Sequence, residues 1–340
     1  MKCPECSTKQ KSTGKTCSKC GYSFALHPQD PPRLSDLHMK KAIENLSANG
    51  QYYFTFNQLY AAVYRIALKK QVNKKGIVAV AVVALFGCIV LAVNGGKWPA
   101  MILAAVAGMG IILYLKRRRV PDHDAILKAI TTYRGLHPIE KLVDGNRFKR
   151  TASGSPMDRE LFDYAPERIL IVQSNDLVDM LVLNRFHLDN KALVVSASKY
   201  PETAFSACQE FLKKRPDIPV EILHDASMEG CKLMDKLLAD VSWNLKDKAV
   251  KDLGLSVQDA ANIKKPIWIP TRPVGRSGAG RSKDPVEDKL QSGMKMPVDF
   301  VGPGVLLGGL SIAALAGLAL MSTELLAEQA RRKDLGGGYG

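Results

Sequence analysis

Three long, uncharged apolar segments constrain this chain more than any other feature: residues 76–93, 98–115 and 300–322. A helix rises about 1.5 Å per residue against a hydrocarbon core about 30 Å thick, so the first two segments can just span a bilayer and the third spans easily. The turn Asn94-Gly95-Gly96-Lys97 joins the first two, which predicts a transmembrane hairpin over 76–115. The third contains Gly304, Gly308, Gly309, Ala313 and Gly317 at the small-residue spacing that lets membrane helices approach closely, and is expected to span as well. The polar, cysteine-rich start of the chain does not read as a secretory signal.

The formal net charge of +15 is unevenly placed. Residues 1–75 carry 13 basic and 4 acidic side chains and residues 116–150 carry 10 and 4, whereas 151–340 sum to −1. The excess therefore flanks the hairpin, with Lys69, Lys70, Lys74 and Lys75 before it and Lys116, Arg117, Arg118 and Arg119 after it. That is the pattern of a hairpin whose two ends both face the cytoplasm, and it attracts anionic headgroups. The expected partners are accordingly the lipid bilayer and a protein partner or second copy; nucleic acid is the less favoured reading of the charge. The expected location is the bacterial inner membrane, with the remaining domains facing the cytoplasm.

The strongest local motif is Cys3-Pro-Glu-Cys6 followed, after ten residues, by Cys17-Ser-Lys-Cys20. Each C-x-x-C puts two thiolates on one tight turn, and two such knuckles complete a tetrahedral shell for zinc with no position left for water. A structural zinc held by Cys3, Cys6, Cys17 and Cys20 is expected, as in the short zinc ribbons at the start of many bacterial membrane proteins, and it implies a reducing compartment. Cys88, Cys208 and Cys231 read as small apolar side chains.

Between 167 and 230 the chain alternates short β-branched runs (ILIVQ, ALVVS, VEILH) with helical stretches, the pattern of a Rossmann-like, mainly parallel α/β sheet. Three stretches, ILIVQS, KYPETAF and HDASMEG, with LGLSVQD as a weaker echo, resemble the Toprim domain of the type VI topoisomerase A subunit family. The resemblance implies a Mg²⁺ site formed by a Glu closing the first strand and a D-x-D-P-x-G turn after the third. Here Gln173 stands at the Glu position, and of the turn only Asp225 remains, with Ser227 and Met228 replacing the second Asp and the Pro. Mg²⁺ prefers anionic oxygens in octahedral array, so the resemblance implies a vestigial site of Asp225, Gln173, Ser227, Glu229 and Asp176 that binds Mg²⁺ weakly, and no catalytic residue. Asp176, Asp179 and Glu229 are the acids at strand ends that could restore activity beside Asp225. In the same family an Arg and a catalytic Tyr precede Toprim; a faint counterpart, Asn57-Gln-Leu-Tyr60-Ala61, has neither in place, and an amphipathic helix is the favoured reading there.

The expected map is a zinc ribbon (1–24), a helical region (25–75), the transmembrane hairpin (76–115), a basic helical connector (116–154), the Toprim-like domain (155–270), a Pro/Gly/Ser-rich flexible linker (271–299), the third hydrophobic helix (300–322) and a flexible tail (323–340). The chain thus reads as a multidomain membrane protein whose α/β domain binds or scaffolds rather than catalyses. The alternatives are a Mg²⁺-dependent nuclease or phosphotransfer enzyme using Asp225, and a membrane-perturbing effector of the phage-defence type.

Overall fold

The computed structural model describes residues 1–10, 14–70, 120–149, 165–246, 248–263, 266–271 and 284–316. The chain divides into two compact units, Met1–Ala42 with Ala62–Pro138, and Ile43–Ala61 with Ile139–Gly340.

The first unit opens with the two cysteine knuckles, followed by helices α1 (Asp36–Leu46), α2 (Phe56–Lys70), whose later part lies in this unit, and α3 (His123–Leu136). Helix α3 shows why these stretches are helical. Asp122 caps it by accepting the Ala125 N–H at 3.2 Å, Asp124 follows in the first turn, and Ile126, Ala129, Ile130 and Tyr133 bury one face at i, i+3, i+4 and i+7.

The second unit is built on four parallel strands, β1 (Arg168–Val172), β2 (Ala192–Ser196), β3 (Val220–Leu223) and β4 (Val250–Asp252), in the order β2-β1-β3-β4. Helices α4 (Asn175–Leu183) and α5 (Phe186–Asp189) follow β1, α6 (Glu202–Lys214) follows β2, and α7 (Leu233–Ala239) follows β3. Because both faces of a parallel sheet must be covered, its strands read as unbroken apolar runs. Ile169, Ile171, Leu193, Val195, Val220 and Ile222 pack with Ala204, Cys208 and Leu212 of α6 and with Trp243. On the other face Leu170, Val172, Val194 and Leu223 pack with Leu177, Val178 and Leu181 of α4. Beyond β4 come α8 (Val257–Asn262), a two-stranded antiparallel pair β5 (Ile269–Pro270) and β6 (Met294–Lys295) with α9 (Pro285–Gln291) before β6, and finally α10 (Pro303–Ala316).

The expected membrane fold is corrected: among the described residues no helix is long and apolar enough to cross a membrane, and these residues form a parallel α/β sheet with helices and a cysteine cluster at the start of the chain. The described part of the third apolar segment forms α10, Pro303–Ala316. Its Leu306 and Leu310, 0% and 1% exposed, belong to the core that covers the second face of the sheet. The hairpin expected over 76–115 lies outside the described residues. The linker expected over 271–299 is also structured from 284 onward: Asp284 caps α9 by accepting the Val286 N–H at 2.7 Å, and β6 follows.

Candidate functional site

The two knuckles fold alike. In the first, the Cys3 N–H donates to Thr8 O (3.0 Å), the Gln10 N–H to Met1 O (2.7 Å) and the Ser7 N–H to Cys3 O (3.1 Å). In the second, the Cys17 N–H donates to Tyr22 O (2.8 Å), the Phe24 N–H to Lys15 O (2.8 Å) and the Gly21 N–H to Cys17 O (2.9 Å). Each turn closes through a left-handed residue after its second cysteine, Ser7 at φ 58° and Gly21 at φ 74°. The Thr8 and Tyr22 backbone N–H groups then bond Cys6 and Cys20.

The four thiols converge. Cys3 and Cys20 Sγ are 3.6 Å apart, as are Cys6 and Cys17 Sγ, and all four sulfurs lie within 4.8 Å of one another. None is in a disulfide. Hydrogen bonds from the Thr8 side chain and backbone pull the Cys6 thiol down to about 6. At Cys20 the Tyr22 N–H pulls the same way, but burial and the three facing sulfurs push the thiol up to about 12. Four thiolates at this separation repel unless a cation sits among them, so the quartet fits a metal ion. Its support is Asp36, 1% exposed, which accepts the Ala25 and Leu26 N–H groups at 2.8 Å each and the Tyr22 hydroxyl at 3.0 Å. Tyr22 stacks on His137, centroids 4.6 Å apart.

The second cluster stands at the carboxyl ends of β1 and β3. The connection after β1 leads to β2 on one side and β3 lies on the other, so this is the switch point where open α/β sheets receive ligands. Gln173 and Asp225 meet here, as expected, through the Gln173 Oε1 atom accepting the Asp225 N–H at 2.7 Å. The Asp225 carboxylate faces the chain itself: Oδ1 accepts the Val298 N–H at 3.0 Å and Oδ2 pairs with Lys295 Nζ at 3.1 Å. Ala226 and Met296 exchange backbone hydrogen bonds of 3.1 and 2.9 Å, which holds 295–299 against the end of β3.

The other expected residues do not join. Ser227 is buried but its hydroxyl accepts the Gly230 N–H at 2.9 Å, closing its own turn. Glu229 is exposed. Asp179 belongs to a separate group that fastens the 144–148 loop. There Asp179, fully buried, accepts the Tyr200 hydroxyl at 2.6 Å and the Arg147 N–H at 3.1 Å, and the Tyr200 hydroxyl accepts the Phe148 N–H at 2.8 Å. Burial, then Asp179 and Asp144, raise the Asp176 carboxyl against the opposing charge of Lys295, the cation that pairs with Asp225. Gly145, at φ 69°, leaves no room for a Cβ, which would lie 2.2 Å from Asp176 Oδ1. Among the described residues no His, Cys, Asp and Glu other than the cysteine quartet form a group of three or more with metal-ligating spacing.

Three further participants complete the cluster, of which Asp299 and Lys295 escaped the sequence reading. Asp299, 1% exposed, accepts a short hydrogen bond from the Thr55 hydroxyl at Oδ2 and one from Asn57 Nδ2 at Oδ1 (3.1 Å). Burial and the nearby Asp225 charge raise its carboxyl to about 7. Lys295 lay in what read as a linker. His224, buried at 4% exposure, presents Nδ1 to Asp225 O (2.9 Å) and Nε2 to Asp252 Oδ2 (3.2 Å). Both partners only accept, an arrangement that favours protons on both ring nitrogens. Burial opposes that charge, but the hydrogen bonds to Asp252 and to the Asp225 carbonyl outweigh it and raise His224 above its ordinary value. Gly254 and Gly230 make the room: a Cβ on either would lie 2.2 Å from His224 Cδ2 or 2.1 Å from Asp225 O. The one available sequence signal was an acid inside an apolar run, Pro297-Val-Asp299-Phe-Val301.

No protein-family model, no curated protein and no solved structure matches the chain.

Proposed function

We propose that this chain is a zinc-stabilised binding protein whose Toprim-like α/β unit recognises a ligand or partner and performs no catalysis. The carrying observation is the Lys295 ammonium on Asp225: the one carboxylate retained from the family's metal site is already neutralised by a cation of the chain itself. Gln173 is engaged by the Asp225 backbone and Asp179 by the 144–148 loop, while Asp176 feels the charge of the same Lys295 ammonium that pairs with Asp225. Zinc is the metal favoured for the quartet. Four thiolates about 2.3 Å from a tetrahedral Zn²⁺ stand about 3.8 Å apart, close to the two 3.6 Å separations observed. The zinc would be held by Cys3, Cys6, Cys17 and Cys20 and would supply folding energy rather than a reactive water.

The test is to incubate the purified full chain with Mg²⁺ or Mn²⁺ and single-stranded, duplex and supercoiled nucleic acids, beside Asp225→Ala. No cleavage above background is expected from either. Cleavage by the parent that disappears in Asp225→Ala would establish instead the Mg²⁺-dependent enzyme, with Lys295 displaced by metal. Metal analysis under reducing conditions should return zinc in the parent and none in Cys6→Ser.

A further inference from the structure

The two knuckles form a natural pair in which one shows what the fold requires of the other. Their hydrogen bonds place Lys2 opposite Lys9 in the first and Thr16 opposite Ser23 in the second, each as an isolated antiparallel bridge. In both, the bonds flank the facing residues rather than join them. Each is therefore a non-hydrogen-bonded pair, the closer of the two kinds, with Cα atoms about 4.5 Å apart and side chains on one side of the hairpin. All four residues are exposed.

Threonine and serine suit such a position, whereas like charges directly opposite are destabilising. The second knuckle shows that nothing in the turn, the thiol cluster or the burial calls for lysine at the equivalent place. No acid offsets the pair: the ribbon's Glu5 is bonded to Lys40 at 2.8 Å, and Lys2, Lys9, Lys15 and Lys19 take part in no ion pair among the described residues. A cost borne by the folded chain with no internal return points to a return from outside it.

We infer that the Lys2–Lys9 face of the ribbon is a docking surface for the phosphodiester backbone of a nucleic acid. Lysine binds phosphate as a flexible point charge, and a nucleic-acid strand offers closely spaced charges whose condensed counterions are released on contact. A lipid surface fits less well, because stable adsorption adds buried apolar area and the exposed large apolar side chains of the described residues, Val120, Leu136, Met228 and Val241, all lie outside the ribbon. An acidic peptide has to order its own flexible side chains to reach the same charge density. The overall charge of +15 gave no such indication, because its distribution along the chain follows the apolar segments.

The experiment transplants the second knuckle's pair into the first, as Lys2→Thr with Lys9→Ser in the full chain. Binding to a fluorescein-labelled DNA strand and to its duplex is followed by anisotropy between about 50 and about 200 mM salt. The parent should bind both, with affinity falling steeply as salt rises. The double variant should bind on the order of tenfold more weakly at the lowest salt, with a logarithmic salt slope shallower by about 1.4 on the single strand and about 1.8 on the duplex. Lys2→Arg with Lys9→Arg should keep the parent's slope, and so should Lys232→Thr with Lys236→Ser, which removes two exposed charges from the α/β unit. Metal content measured on every variant confirms an intact ribbon. The inference is overturned if the parent binds neither probe at about 50 mM salt, or if the Thr/Ser variant keeps the parent's slope. It is equally overturned if the lysine pair governs binding to anionic vesicles or to polyglutamate while leaving DNA binding unchanged.

Discussion

The cysteine quartet and the strand-end cluster both gather polar side chains onto one point, but they draw them from different distances along the chain. Cys3 and Cys20 are 17 positions apart, and every hydrogen bond shaping the knuckles is shorter in range still. At the strand end, Lys295 reaches Asp225 across 70 positions, Asn57 reaches Asp299 across 242 and Thr55 across 244. The first site closes within a local turn and is stabilised by an ion. The second exists only when the sheet, the 52–58 segment and the 295–299 segment are all in place, and it is stabilised by burial and internal charge pairing. Removing one member should therefore have opposite consequences in the two regions.

The largest effect is expected at the quartet. Structural zinc binding to small domains is worth about 10–16 kcal/mol, nearly all of it folding free energy. Chelation, or Cys6→Ser, should unfold residues 1–24 and leave the parallel sheet intact. Backbone amide spectra report this directly: resonances of 1–24 should collapse to random-coil positions while those of β1 to β4 stay. Concerted loss of both sets would show that the two regions do not differ as their contacts say.

At the strand end the cost is smaller but spreads. Asp225→Ala strands the Lys295 ammonium and leaves the Val298 N–H unbonded. Breaking a buried pair costs about 3–5 kcal/mol, and with the Lys295 side chain 26% exposed about 2–3 kcal/mol is expected. Replacing both, as Asp225→Ala with Lys295→Met, should cost less than Asp225→Ala alone. A double-mutant cycle in urea measures the coupling, and strict additivity would mean that the pair contributes nothing.

The same contrast governs what could be read from the sequence. The knuckle spacing specifies the quartet because a C-x-x-C turn brings its own two ligands together whatever the rest of the chain does. The strands were legible for a related reason: the runs 169–172 and 192–195 are buried on both faces and say so in every residue. The strand-end acids were not, because Asp176, Asp179 and Asp225 look alike in sequence and differ only in what the third dimension brings to each. Asp179 meets the Tyr200 hydroxyl, Asp225 pairs directly with Lys295, and Asp176 lies between other acids and the charge of that same lysine. In the described part of the 300–322 run, Leu306 and Leu310 pack with Leu170 and its neighbours, a role that apolar length alone does not distinguish from a bilayer span.

Asp299 sets a third effect, on pH. Its folded carboxyl is raised to about 7 from an ordinary 3.8, so the folded state holds the proton more tightly than the unfolded chain. Stability from this group is present below about pH 4 and lost as pH rises to about 7, on the order of a few kcal/mol for a fully buried carboxyl. His224, raised above its ordinary 6.5, acts with the same sign at higher pH: its contribution is lost as pH climbs past the raised value. Urea midpoints for the parent should therefore decline against those of Asp299→Asn between about pH 4 and pH 7. Parallel curves would show that Asp299 titrates as an exposed carboxyl does.

The smallest effect belongs to the ribbon's lysine pair, and its sign is the informative part. If Lys2 and Lys9 were merely a solvated face, exchanging them for threonine and serine would leave the folded ribbon where it was. If instead they are held opposite one another at the closer spacing, the exchange relieves a repulsion of about 0.2–1 kcal/mol. The variant should then hold its metal up to about fivefold more tightly against a competing chelator, since about 1.4 kcal/mol is tenfold. The gain should shrink as salt shortens the screening length from about 10 Å at 0.1 M toward about 3 Å at 1 M. A variant that retains metal better at low salt but binds DNA worse would place stability and recognition in direct opposition at two residues. A variant that retains metal worse would mean that the lysine stems pack on the ribbon and stabilise it, and the Thr16–Ser23 pair would no longer serve as its measure.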